Sequence, residues 1–216
     1  MVDTMDSKPI VARREGSSPS SGTNMDLREK IALAYIIGIA LGDGNLSNPN
    51  GRAIRLRVTC DAQYPDIAAE IVTNLQFLFP KNKVSYCPGP KDTYFNISVF
   101  SNKLGEVMPW KVGKGSKMKQ QARVPSWILE DLQFSKACLR GLIQTDGSIY
   151  KDRGYSMVNF TNIIHPLTED VVVMMVKLGY KPRISKTMQK SGNIKYTVRL
   201  ARDVDTFLKT VISTKS

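Results

Sequence analysis

The chain has 216 residues, 42% of them hydrophobic, which suffices to bury a core as one large domain or two small lobes. Its 31 lysines and arginines exceed its 19 acids, and because residues 1 to 25 are neutral by count, the rest of the chain carries the whole charge of +12. Such a surface favours a polyanion, nucleic acid first, over a merely solvated basic face, and no apolar run reaches the roughly 20 residues that would cross a membrane.

Residues 1–24 are rich in Ser, Gly and Pro and lack an apolar period, so they predict a disordered N-terminal extension. The three cysteines, Cys60, Cys87 and Cys138, are too few and too scattered for a disulfide framework or a Cys-rich zinc site. An odd count fits a reducing compartment. We therefore expect an intracellular protein, in the cytoplasm or an organelle matrix, that is not secreted.

The first half of the remaining chain predicts alternating helices and strands. Apolar periodicity and a Pro near one helix start give helices over 26–42, 65–79 and 102–108, and alternation gives strands over 54–59, 83–86 and 94–100. The second half repeats this order, with landmarks such as Gly38 and Gly141, or Pro65 and Pro166, about 100 residues apart. It predicts a helix ending at 146, helices over 166–178 and 203–212, and strands over 155–161, 182–187 and 195–200.

The repeat predicts an α+β fold of two pseudo-symmetric lobes, each ordered αββαββα with an antiparallel sheet. We expect the first lobe over 25–110 and the second over 124–216. Residues 111–123 hold five basic residues and no acid, which indicates a flexible basic linker able to touch phosphate.

Two apolar helical segments, 36–44 and 139–147, end abruptly in Asp-Gly. A helix C-terminus carries partial negative charge, so Asp43 and Asp146 stand at the unfavourable end of their helices. One such ending is an ordinary turn, since Asp and Gly are turn residues, but two copies in register favour a function.

Small residues lie four apart on one face of each segment and allow the two helices to pack closely: Gly38, Gly42, Gly141 and Thr145. This contact would bring Asp43 and Asp146 together. Two carboxylates at two negative helix ends repel, and hard divalent cations with oxygen ligands are the usual remedy. The segments therefore predict a metal site between the lobes.

The two segments resemble the motif of the LAGLIDADG homing endonucleases, in the single-chain form with two copies. Gly38 and Gly141 match its first glycine, Asp43 and Asp146 its terminal acid, and Gly44 and Gly147 its last glycine. Leu41 and Gln144 stand at the position of the name's first aspartate, which varies in the family.

The resemblance implies a monomeric site-specific double-strand DNA endonuclease that hydrolyses phosphodiesters with Mg2+ at a long pseudo-palindromic site. It adds cleavage across the minor groove with 3′ overhangs, and an origin in a mobile intron or intein, of which the intein is disfavoured. Ca2+ is expected to support binding without cleavage. Asp43 and Asp146 would hold the metal, with the carbonyls of Gly42 and Thr145 as further ligands.

By alignment with the family's strand pattern, three more residues join the catalytic set. Arg57 and Asn159 fall where polar residues position the attacking water, and Arg202 falls where a lysine often stabilises charge at the phosphate. Each is otherwise an ordinary exposed strand residue. The first lobe offers only Phe100 or Ser101 at the position of Arg202, so it would borrow a basic group from elsewhere.

A basic face of antiparallel strands suits DNA, because a two-stranded ribbon enters the major groove. The predicted contacts of one half-site are Arg52, Arg55, Arg57, Lys83 and Lys91. Those of the other are Lys151, Arg153, Tyr155, Lys181, Arg183, Lys186, Lys195 and Arg199. Some of these side chains must simply be solvated.

Two other functions fit the same scaffold. A maturase would use the basic surface to help an intron RNA fold, with or without the acids. A sequence-specific DNA-binding protein that does not cleave would need the metal site blocked. The presence of both Asp43 and Asp146 favours the nuclease over either.

Overall fold

The computed structural model describes residues 25–212; the extension predicted at residues 1–24 lies outside them. Each half of the chain builds one four-stranded antiparallel sheet, in the orders β1-β2-β4-β3 and β5-β6-β8-β7. The α+β expectation of two lobes is thereby confirmed. In the described part of the chain, no helix is both long and apolar enough to cross a bilayer.

The first lobe contains three helices and four strands. The helices are α1 Leu27–Asp43, α2 Pro65–Leu78 and α3 Leu104–Val107. The strands are β1 Gly44–Ser47, β2 Arg55–Asp61, β3 Val84–Pro88 and β4 Tyr94–Phe100, with a 3-10 turn at Pro90–Asp92.

The second lobe repeats this order after a short helix, α4 Ser126–Glu130. Its further helices are α5 Leu132–Asp146, α6 His165–Lys177 and α7 Val204–Phe207, which continues as a π-helical turn over Leu208–Ile212. Its strands are β5 Gly147–Asp152, β6 Tyr155–Asn162, β7 Arg183–Met188 and β8 Ile194–Leu200.

Local sequence fixes where the two central helices begin. Asp26 caps α1 in a reciprocal arrangement, in which Glu29 N donates to Asp26 Oδ1 at 2.7 Å and Asp26 N donates to Glu29 Oε2 at 2.9 Å. Asp131 caps α5 by accepting from the backbone N–H groups of Gln133 and Phe134. The caps fix the first turn of each helix, and each helix ends at its motif acid because the following glycine, Gly44 or Gly147, is extended.

Helices α1 and α5 lie at the centre of the molecule. Every residue of α1 from Ala32 to Leu41 is buried, because the helix packs against α5, α2 and its own sheet. One continuous apolar cluster includes residues of both lobes. Such a shared core predicts that the lobes unfold together rather than separately.

Each sheet has a helix-covered face and an open face. On β2, Leu56, Val58 and Cys60 are buried, whereas Arg57 and Thr59 between them are exposed. The same alternation holds on β6, where Val158 and Phe160 are buried. The open faces carry the polar alternate residues, as the period of two requires.

Candidate functional site

The approach of α1 to α5 depends on glycine. A Cβ atom on Gly141 would lie 2.6 Å from the Tyr35 carbonyl oxygen and 2.7 Å from Ile39 N. A Cβ on Gly38 would overlap the Cys138 carbonyl in the same way. The two helix backbones are therefore in direct contact, and the small-residue face predicted from the sequence forms this contact.

Where the helices end, Gly42 packs against the Thr145 side chain, and Asp43 and Asp146 come within electrostatic range of each other. Thr145 Oγ1 itself donates to the carbonyls of Gly141 and Leu142, at 3.0 and 3.1 Å. A cavity of about 630 Å³ opens beside Asp43 and is also lined by Gln144 and Thr145. The pairing of the two motif acids predicted from the sequence is thus what the fold produces.

Both acids hold their protons more tightly than a free aspartate. Loss of surrounding water raises the pKa of Asp43, and the positive charge of Lys117 opposes that shift. Loss of water also raises the pKa of Asp146. The Asn162 amide lowers this pKa, because its Nδ2 donates to Asp146 Oδ2 at 2.7 Å, and the charge of Asp43 raises it. The pair therefore favours a nearby cation.

Lys117 of the linker is a site residue that sequence reasoning missed. Its Nζ donates to the carbonyls of Ala40, at 3.1 Å, of Leu41, at 2.7 Å, and of Gly42. The ammonium therefore lies on the negative end of α1, and it also lies 5.5 Å from the centre of the Trp110 ring. The sequence had indicated a basic linker and a first lobe in need of a basic group, but nothing singled out Lys117.

The linker holds Lys117 through its own hydrogen bonds. Gln120 Nε2 donates to the carbonyls of Lys111 and Gly115, both at 2.9 Å, and Gln120 Oε1 accepts from Lys111 N at 2.9 Å. Ala122 N donates to the Lys117 carbonyl at 3.0 Å. In the structure, the segment predicted as a flexible connector forms a loop with these internal hydrogen bonds and presents one lysine to the site.

The oxygen donors at this site fit a hard divalent cation. Asp43 and Asp146 end two helices that touch at Gly42 and Thr145, and their carboxylates and the Gly42 carbonyl are oxygen donors, whereas histidine and thiolate ligands would favour softer metals. Within residues 25–212, no cluster of three or more His, Cys, Asp or Glu side chains could hold a metal by itself. The remaining ligands would have to be water or phosphate oxygens.

The three further catalytic candidates lie at different places. Arg57 is exposed on the open face of β2, opposite Asn45 and Ser98. Asn159 lies at the matching position of β6, where its Nδ2 donates to the Tyr150 hydroxyl at 3.1 Å and its buried Oδ1 has no hydrogen-bond partner within residues 25–212.

Arg202 lies beyond the end of β8. It lines a cavity of about 680 Å³ with three other basic residues, Lys181, Arg183 and Arg199. This basic cavity does not include either motif acid. The structure thus places Arg202 among the basic residues of the second sheet, and its catalytic role stays a prediction.

Strand register sorts the predicted DNA contacts by face. The open faces carry Arg55, Arg57, Tyr155, Arg183, Lys195 and Arg199. Strand ends and connecting loops carry Arg52, Lys83, Lys91, Arg153 and Lys181. Lys151 and Lys186 pair with Ser156 and Tyr196, so they lie on the alternate face, away from the others.

An acidic residue also lies on the open face of the second sheet. Asp152 Oδ2 accepts from Arg199 Nη2 at 2.8 Å, and Arg199 Nε is buried without a partner. The sequence analysis had not singled out Asp152. The ion pair orients the Arg199 guanidinium across the face.

Comparisons with known proteins identify this architecture. Residues 133–211 match the family model described as a LAGLIDADG-like domain. I-DmoI in complex with DNA and Mn is 22% identical and covers 87% of this chain and 99% of its own, with a TM-score of 0.64. The chain has the two-lobe LAGLIDADG fold. The resemblance drawn from the two motifs is confirmed at the level of the fold; the family model covers most of α5, and α1 takes the equivalent place in the first lobe.

Two further structures share this LAGLIDADG fold. Mesophilic variants of the homing endonuclease I-DmoI match at 22% identity over 88% of this chain and 99% of theirs, with a TM-score of 0.64. Full-length DUF199/WhiA from Thermatoga maritima is 13% identical and covers 88% of this chain and 58% of its own, with a TM-score of 0.60. No curated protein sequence matches the chain. At these identities the likeness establishes the fold.

Proposed function

We propose that this protein is a divalent-metal-dependent, site-specific double-strand DNA endonuclease of the homing type. The observation that carries the proposal is that Asp43 and Asp146 are the last residues of two helices whose ends are in direct contact, in a molecule with basic open sheet faces. A structural core does not need a pair of acids whose charges repel, whereas a cation site does. The related I-DmoI structures hold DNA with Mn, and with Ca.

The proposed roles follow from position. Asp43 and Asp146, with the Gly42 and Thr145 carbonyls, would hold Mg2+, which when bound activates water and stabilises the leaving oxygen of an in-line displacement. Arg57 and Asn159 would orient water from equivalent positions of the two sheets. Arg202 and the basic residues of the open faces would hold phosphates. Ca2+, which dehydrates differently and coordinates more flexibly, would support binding alone.

We further propose that one chain contacts both halves of a long, imperfectly palindromic site as a monomer. The lobes share a fold but differ in their open-face residues: Arg55 and Arg57 on one, Arg183, Lys195 and Arg199 on the other. Different contacts select different half-sites. We also propose that the protein is encoded by an intron and works in a reducing intracellular compartment.

The test is selection from a random library of duplex DNA, with the full chain in Mg2+ and separately in Ca2+, followed by sequencing of new ends and of retained DNA. New specific ends in Mg2+ only, with 3′ overhangs, would support the nuclease. Enrichment of DNA in both metals without new ends would instead indicate a non-cleaving DNA-binding protein, and preferential retention of structured RNA would indicate a maturase.

Substitution of one acid sharpens the test. Asp146→Asn removes the charge with little change in shape, so it should abolish double-strand cleavage or reduce it to nicking, while DNA affinity in Ca2+ changes by less than about threefold. Asp205→Asn, an exposed aspartate on α7, is the charge-matched control and should cleave normally. Unchanged cleavage by Asp146→Asn would refute the assignment of the site.

A further inference from the structure

The end of α1 already holds a cation that belongs to the protein. Helices leave their last carbonyls without intrahelical partners, and at α1 the ammonium of Lys117 satisfies the carbonyls of Leu41 and Gly42, with Ala40 as a third acceptor. Among the described residues, no side chain makes an equivalent bond to the carbonyls of Ile143, Gln144 or Thr145, which are the matching positions at the end of α5. The linker therefore compensates one of two otherwise similar helix ends.

The Gly42 carbonyl is the oxygen that both Lys117 and a bound metal ion would contact. It is one of the oxygens assigned above to the metal, and it accepts a hydrogen bond from Lys117. An ammonium and a divalent cation on one oxygen would repel each other strongly, because both would be partly withdrawn from water. The two cations therefore compete for this end of α1.

We propose that Lys117 is a built-in counter-cation of the paired acids, which occupies the first-lobe cation position in the free protein and must withdraw when a divalent ion binds there. The inference rests on the proposed function for the identity of the incoming cation. It adds that the linker, which ordinarily only connects two lobes, controls metal binding at the end of α1, next to the paired acids.

The linker is built so that this withdrawal need not disturb either lobe. The hydrogen bonds of Gln120 to Lys111 and Gly115 lie within the linker, and Lys111, Gly115 and Lys119 are exposed. The lysine side chain has a flexible four-carbon stem, so its ammonium can leave the carbonyls while the loop stays in place. A bound phosphate of DNA would give the released ammonium a new partner.

The experiment measures binding of Ca2+ and Mn2+ to the full chain without DNA, by titration calorimetry. Lys117→Met removes the competing charge, and Lys117→Gln removes the charge but keeps a hydrogen-bond donor for the carbonyls, which protects the fold. Both variants should bind Ca2+ roughly tenfold more tightly than the parent, since a unit charge at short range in a partly dry site is worth at least that. Lys119→Met, an exposed lysine of the same loop, should bind as the parent does.

A second measurement distinguishes competition between Lys117 and metal from a role of Lys117 that is limited to capping helix α1. In chelator, Lys117→Gln should melt at a lower temperature than the parent, and saturating Ca2+ should raise its melting temperature more than it raises that of the parent. In an Asp43→Asn background, the effect of adding Lys117→Gln should shrink, because one of the two facing charges is gone.

The outcomes distinguish this inference from the proposed function. Equal or weaker Ca2+ binding by both Lys117 variants overturns the counter-cation role, even if the parent cuts DNA. Tighter binding by both variants supports it, even if the parent cuts no DNA. If neither the parent nor the variants bind Ca2+ or Mn2+ at millimolar concentration, the inference is overturned as well.

Discussion

Replacing Gly141 with alanine is expected to force the two LAGLIDADG helices apart. In most helices this substitution stabilises, because alanine exceeds glycine in helix propensity by about 1 kcal/mol. Here the new Cβ would meet three backbone atoms of α1: the Tyr35 carbonyl oxygen at 2.6 Å, Ile39 N at 2.7 Å and Gly38 C at 3.1 Å. No side-chain rotation relieves contacts with backbone, so the helices themselves must move.

The size of the effect follows from that movement. Restoring ordinary contact of about 3.4 Å requires the helices to separate by roughly 0.8 Å, and forced overpacking of this kind costs typically about 1–3 kcal/mol. The shift also opens the central core that both lobes share, so the loss exceeds the propensity gain. We expect the free energy of unfolding of Gly141→Ala to fall by about 1–3 kcal/mol, and cleavage to fall further because Asp43 and Asp146 separate.

Urea denaturation followed by tryptophan fluorescence measures this loss, since Trp110 is buried and Trp127 packs against Phe134. Gly105→Ala is the matched control: it is also a helical glycine, but its Cβ would meet only the flexible tip of Ile54, at 2.8 Å. The control should be close to the parent in stability. A Gly141→Ala chain as stable as Gly105→Ala would refute the direct backbone contact between α1 and α5.

Three further predictions test the anchoring, the charge and the faces of the site. Asp170 is buried and accepts from Arg123 Nη2 at 2.6 Å and from Val124 N at 2.8 Å, so Asp170→Asn should lower the free energy of unfolding by roughly 1–3 kcal/mol, measured in urea. Because the pKa of Asp43 is raised in the folded state, its ionised form opposes folding at neutral pH. In chelator, Asp43→Asn should therefore have a higher melting temperature than the parent at pH 7, and this difference should vanish as the pH falls below the pKa of aspartate in the unfolded chain. An equal gain in melting temperature at pH 3 would contradict the reasoning. Lys195→Ala should reduce the slope of log DNA affinity against log salt concentration by about 1, because Lys195 lies on the open sheet face. Lys186→Ala, on the opposite face of the same sheet, should leave this slope unchanged. Equal effects of the two substitutions would refute the assignment of these lysines to opposite sheet faces.

Elements with a strong local pattern could be predicted from the sequence, and short paired elements could not. Strict alternation placed β4 at Tyr94–Phe100, as the structure has it. The strands β1 and β5 were expected in the αββαββα order but not located, because Gly44–Ser47 and Gly147–Asp152 follow Asp-Gly and resemble turns. They are strands because β2 and β6 pair with them, which no local pattern reveals.

The site divides in the same way. The small-residue face and the terminal acids were readable because they recur at helical spacing. The faces of Lys151 and Lys186 were not, since a one-residue difference in register reverses the side of the sheet. Lys117 could not be found at all, because it contacts Gly42 from 75 positions further along the chain.

A sequence repeat predicts two equal halves of the candidate site, and the structure makes them unequal. Val58 pairs with the glycine after Asp43, and Phe160 pairs with the glycine after Asp146, so these two residues are equivalent. Cys60 and Asn162, two residues further along each strand, therefore occupy equivalent positions. Asn162 donates a hydrogen bond to Asp146, whereas burial and the charge of Asp43 raise the pKa of the Cys60 thiol to about 11. In the first lobe, the last carbonyls of α1 are instead bound by Lys117, from a linker that occurs once, and the charge of Lys117 acts on Asp146 as well as on Asp43. The Asn162 amide can stay in place whether or not metal is present, whereas the Lys117 ammonium must be exchanged for the metal ion. The two halves should therefore bind metal with different affinities.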